Sequence, residues 1–90
     1  MSAAWTFLSN HGHVLMCIAK NSEMRLRDIS DEVGITERSV STIIADLESA
    51  GIIERIRDGR RNMYRIDRSL QMRHPIEQHR TVGEFIDLVG

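Results

Sequence analysis

Two groups of residues in this chain have the types and spacing to do chemistry. The first runs from 36 to 45 and comprises Thr36, Arg38, Ser39, Ser41, Thr42 and Ala45. A guanidinium pairs in bidentate fashion with a guanine edge, and hydroxyls reach bases or phosphate oxygens. A small alanine permits close approach or contact with a thymine methyl. The second group is Arg57, Arg60 and Arg61, placed around Asp58-Gly59. Arginines at a hairpin tip can follow a phosphate backbone or enter a narrow minor groove, whose negative potential attracts them. Both groups suit recognition of double-stranded DNA rather than bond making.

The one cluster of metal-ligand types is His11, His13 and Cys17. His13 and Cys17 are four apart and share a helix face, as ligands do, whereas His11 projects to the apolar side. Two ligands are too few unless a second subunit, or His74 and His79, completes the set. No metal and no cofactor is therefore expected. Cys17 is expected to be buried or half-buried and His11 to be hydrogen-bonded in the core. The chain has no glycine-rich phosphate loop, nucleophile elbow or pocketed carboxylate pair, so it is not expected to be an enzyme.

The elements that must position these residues are legible in LRDISDEVGITERSVSTIIADLESAG, residues 26–51. Ile29 and Val33, four apart, share one face of a first helix that starts near Arg27 or Asp28. Gly34 breaks it, free to take positive φ. Ser30 is small where the helices must approach each other. Thr36 is a candidate N-cap. Val40, Ile43, Ile44 and Leu47 then recur at helical spacing to Ala50, and Gly51 stands where a C′ residue ends a helix. Two helices joined by a glycine turn make a helix-turn-helix. With the apolar stripe turned inward, the outward face centres on Arg38, Thr42, Ala45 and Ser49, able to enter a major groove. Glu37 and Asp46 are unfavourable near phosphates.

After Gly51, residues 52–66 alternate around Asp58-Gly59, a strong short-range hairpin signal. An arginine-tipped hairpin after a reading helix is a wing. Upstream, Trp5 to Lys20 reads as a helix with Phe7, His11, Val14, Leu15 and Ile18 on one side. Trp5 is expected to cap the core or to bury against a second subunit, with the latter favoured. Met24 to Leu26 could add a single bridge beside the hairpin. Asp67 to Arg73 reads as a linker. Thr81-Val82-Gly83-Glu84 matches a capping box, followed by an apolar stripe at Val82, Phe85, Ile86 and Val89.

Ninety residues suggest one domain with a modest core, divided into residues 1–73, the winged helix-turn-helix, and 74–90, a C-terminal helix that packs on the core or dimerises. Net charge is only −1, but its distribution is uneven. Residues 24–50 carry three Arg against six acidic residues, and residues 51–73 carry seven Arg against three. The positive charge therefore follows the reading helix. No apolar run reaches the roughly 18 residues of a membrane span. The start, MSAAWTFLSN, lacks a basic region and a long apolar core, so no secretory signal is expected. One cysteine allows no internal disulfide, and a cytoplasmic location is the default.

From Leu26 to Ile66 the chain resembles winged helix-turn-helix regulators of the ArsR and MarR type. The resemblance rests on the motif around Gly34, the run from Val40-Ser41 to Ile52-Ile53, and Asp58-Gly59-Arg60-Arg61 followed by Tyr64. It implies a dimeric, cytoplasmic, sequence-specific DNA-binding regulator, usually a repressor. Metal-sensing ArsR-type members often carry paired cysteines on the first motif helix, and Leu26 to Gly34 has none. The expected architecture is mainly α with a small β-hairpin: a three-helix core, a two-stranded wing and a C-terminal helix. The expected partners are double-stranded DNA and a second copy of the chain, with no membrane and any small-molecule effector unidentified. The alternative is a winged-helix protein-interaction or assembly module that never reads bases.

Overall fold

A computed structural model describes residues 5–90, apart from the Asp58 side chain; residues 1–4, the start of the expected domain 1–73, lie outside it. Ser9 opens helix α1, Asn10–Lys20, its hydroxyl accepting from the Gly12 amide. The expected helix from Trp5 therefore begins five residues late. The spacing that placed Phe7 on the apolar stripe is overridden by this cap, and Phe7 is 94% exposed. Trp5 and Phe7 pack edge to face with ring centroids 5.2 Å apart, outside the core.

Helix α2, Leu26–Val33, starts without a side-chain cap, since Arg25 at that position has no acceptor oxygen to offer. It buries Ile29 alone and turns Asp28, Asp31 and Glu32 outward. Gly34 ends it at φ 84°, in the left-handed region. The Ser30 hydroxyl donates to the Ile35 carbonyl. Its small side chain thus pins the turn, beyond simply leaving room for the next helix.

Helix α3, Glu37–Ser49, is capped by Thr36, whose oxygen accepts from the Ser39 amide at 3.0 Å. Its C-terminus is a Schellman arrangement. Ile52 donates to Leu47 and Gly51 to Glu48, with Gly51 at φ 76°. The chain leaves α3 directly into strand β1, Ile53–Asp58, which pairs antiparallel with β2, Arg61–Ile66. Asp58 faces Arg61, leaving a two-residue loop whose first position, Gly59, takes the positive φ of 63° that primed hairpin turns require. Ile53 and Tyr64 face the core.

The expected bridge at Met24–Leu26 does not form, because Leu26 is already helical. The hairpin instead meets the α1–α2 loop at Ser22, whose carbonyl accepts from the Tyr64 amide at 3.1 Å. Residues 67–73 are not a free linker. Met72 donates to Arg80, while Val82 and Gly83 donate to Leu70 and Arg68, and Gln71 bridges Thr81. That return strap delivers helix α4, Val82–Val89, to the core under the full Thr81/Glu84 capping box. Val82 and Ile86 of α4 join Val14 and Ile18 of α1, Ile29 of α2, and Val40, Ile43, Ile44 and Leu47 of α3 in one buried cluster. Each such side chain contributes roughly 1.5–3 kcal/mol relative to exposure. Three helices, a two-stranded hairpin and a C-terminal helix make this a winged-helix arrangement. Among the described residues no helix is long and apolar enough to cross a membrane.

Candidate nucleic-acid interface

The apolar stripe of α3 faces inward, and this leaves Thr36, Arg38, Ser39, Ser41, Thr42 and Ala45 exposed along its outward side. Neither α1 nor α4 covers them. Three of the hydroxyls, Thr36, Ser39 and Thr42, are partly engaged. Thr36 caps the helix and donates to the Ser39 oxygen at 2.9 Å, and Thr42 donates back to the Arg38 carbonyl at 3.1 Å. Thr36 is therefore first a structural cap, and Thr42 offers its oxygen as an acceptor. Arg38 and Ser41 form no side-chain hydrogen bond within the described residues.

The wing carries Arg57, Arg60 and Arg61 exposed at its far end, with Arg57 opposite Asn62 and Arg61 opposite Asp58. Arg61 also reaches Glu23 at 3.2 Å and so ties the hairpin tip to the α1–α2 loop. Its side chain is still 74% exposed, which leaves the guanidinium within reach of an anion. Helix α3 and the wing arginines thus lie on consecutive elements of one chain path, joined through the Gly51 turn.

Sequence reasoning missed two side chains beside this surface. Arg55 points to the core side of the hairpin, 6.0 Å from the Tyr64 ring centroid, and donates to Glu48 at 2.8 Å. Burial pushes the Tyr64 phenol above its usual range, and the Arg55 charge opposes that shift. Alternation within the strand could have assigned Arg55 to the Tyr64 face. His11 is the second. The expectation of a core histidine fails: the side chain is half exposed, and Nε2 lies 2.8 Å from Asp46 Oδ2. Those residues are 35 apart in sequence, so no local pattern announces the pair. The pairing gives Asp46 a partner on the outward face of α3.

Cys17 is buried as expected, and burial pushes its thiol up, reinforced by Glu32 and opposed by Lys20. His13 bonds to Asn10 at 3.2 Å. His74 accepts from its own loop at the Ile76 amide. Among the described residues no three His, Cys, Asp or Glu side chains converge as metal ligands would.

The sequence profile of a family described as "Domain of unknown function (DUF7343)" matches residues 7–67, which span the N-terminal segment, all three core helices and the wing. No curated protein matches the chain.

Proposed function

The chain belongs to the family described as a domain of unknown function, DUF7343, and we propose that it is a sequence-specific DNA-binding transcriptional regulator. The observation that carries this is the open outward face of α3 followed at once by an arginine-tipped wing. The N-terminal half of α3 enters the major groove, where Arg38 pairs with a guanine and Ser41, Thr42 and Ala45 meet base edges. Ser39 reaches a phosphate, and Arg57, Arg60 and Arg61 hold the backbone or the adjacent minor groove. No bond is made or broken, and no cofactor is required. The role is that of the ArsR- and MarR-type regulators which residues 26–66 resemble, usually repressors, acting in the cytoplasm.

A second copy completes the site. Leu8, Met16, Val33, Ile86 and Val89, with the Lys20–Glu32 ion pair, line an open groove of about 660 Å³ among α1, α2 and α4, and Leu88 of α4 is 85% exposed. A dimer joined on this side reads successive major grooves when its two α3 helices stand about 34 Å apart. The exposed Trp5 and Phe7 favour a second, weaker reading, a protein-interaction module, because an unpartnered aromatic pair suits a protein surface. Duplex titration by fluorescence anisotropy across a salt series separates the two: a steep salt slope with a preferred sequence supports the regulator, and absence of binding at low salt supports the module.

A further inference from the structure

We propose that His11 of α1 belongs to the DNA-contacting surface and, when protonated, seats a backbone phosphate at the junction of α1 and α3. This rests on the DNA-binding function above and extends its contact surface to a residue outside the helix-turn-helix and the wing. Asn10, His11, Arg38, Ser39 and Thr42 line one open concavity of about 560 Å³. It joins the arginine and two hydroxyl residues of the reading helix to the start of α1. The concavity is continuous with the face of α3 that the DNA-binding function uses.

The bond to Asp46 decides what His11 can offer there. An ionised carboxylate only accepts, so Nε2 carries the hydrogen at 2.8 Å from Oδ2. In the neutral ring Nδ1 then presents a lone pair, which repels a phosphate oxygen. Protonation at Nδ1 turns that edge into a donor, and the added charge offsets Asp46. Among the described residues Nδ1 of His11 has no other partner.

The charged groups around His11 are Arg38 and Asp46 from α3, with Arg73 and Glu77 from the strap lining the cleft on its other side. On α1 itself His13 bonds to Asn10 and lines the opposite groove. Among the residues lining the concavity, His11 supplies the one imidazole, the side-chain type that can gain charge between pH 8 and pH 6.

The test is an anisotropy titration on a labelled mixed-sequence duplex, at pH 6 and pH 8, each across a salt series. Mixed sequence suffices because a phosphate contact does not depend on base identity. For the native chain the slope of log K against log salt should be steeper at pH 6 by up to about 0.9, the value of one phosphate. The advantage of pH 6 should then be about threefold larger at 50 mM salt than at 200 mM. H11Q keeps an amide donor for Asp46 but cannot charge, so its slope should be the same at both pH values. H13Q should retain the native difference, and thermal melts check that both variants fold. If H11Q keeps the pH-dependent slope, or if the native chain has none while still binding, the phosphate seat is wrong and the DNA-binding function stands. If no duplex binds at either pH, both fall together.

Discussion

Glu48 Oε1 accepts from Arg55 Nη2 at 2.8 Å, joining the last turn of α3 to the first strand of the wing. The same guanidinium lies over Tyr64, and Tyr64 donates its amide to Ser22. Wing and reading helix are therefore oriented together, chiefly by the buried ring. The ion pair is partly exposed at both ends, 46% and 31%, and such pairs contribute roughly 0–1 kcal/mol. Tyr64→Ala should cost about 3 kcal/mol or more, and Glu48→Gln less than about 1 kcal/mol. Urea denaturation followed by circular dichroism distinguishes the two.

Gly34 tests the turn. An added Cβ would meet no atom within 4 Å, so the only cost of Gly34→Ala is its backbone at φ 84°. That cost should be about 1–2 kcal/mol, and Gly34→Asn should be milder because Asn tolerates the left-handed region. A larger loss for Ala, with Asn equally affected, would mean that something other than φ constrains the turn.

The start of α4 should be acid-sensitive. Hydrogen bonds from the Thr81 amide first, and from Arg80, hold the Glu84 carboxyl below its usual range. The Ser69 hydroxyl, and then its amide, do the same for Asp67. A lowered folded-state value gives stability that is present above the unfolded value and lost as pH falls through the folded one. Urea midpoints should therefore drop as pH falls below about 4.5, and Glu84→Gln should flatten that drop. Thr81→Ala should cost about 1 kcal/mol at neutral pH by removing the cap.

The alkaline limb has the opposite sign. Burial raises the Cys17 thiol above its ordinary value of 9.0 and the Tyr64 phenol above 10.0. Stability from a raised group is complete below the unfolded value and is lost as pH rises through the folded one. Melting temperature should fall above about pH 9, and Cys17→Ala should reduce the first part of that fall. A thiol-reactive dye should label Cys17 slowly in the folded chain and quickly in urea.

Local signals carried most of this fold. Thr36, Gly34, Gly51, Gly59 and Thr81/Glu84 each stand where a cap or turn needs that residue type, and each performs that role. The stripe from Val40 to Leu47 is buried as its spacing implies. Periodicity erred at Phe7, where it carried the helix past the Ser9 cap. It also gave no sign that residues 67–73 bond backwards to 80–83, because strap pairing involves backbone groups of residues without a strand pattern. The outward face of α3 was legible because it is the complement of the apolar stripe. The pairs His11–Asp46, Arg61–Glu23 and Arg68–Asp87 were not. Each joins elements whose spacing only the folded chain sets.

The most direct measurement compares Arg38→Ala and Arg60→Ala with the native chain on upstream-region and random duplexes, by anisotropy across a salt series. The native chain should bind with a steep salt slope and prefer one sequence. Arg38→Ala should lose about 1–3 kcal/mol on that sequence and relax the preference. Arg60→Ala should weaken all duplexes alike and reduce the slope by about one. Failure of the native chain to bind any duplex at low salt would contradict the DNA-binding function. Loss of preference in Arg60→Ala but not in Arg38→Ala would contradict the roles given to α3 and the wing.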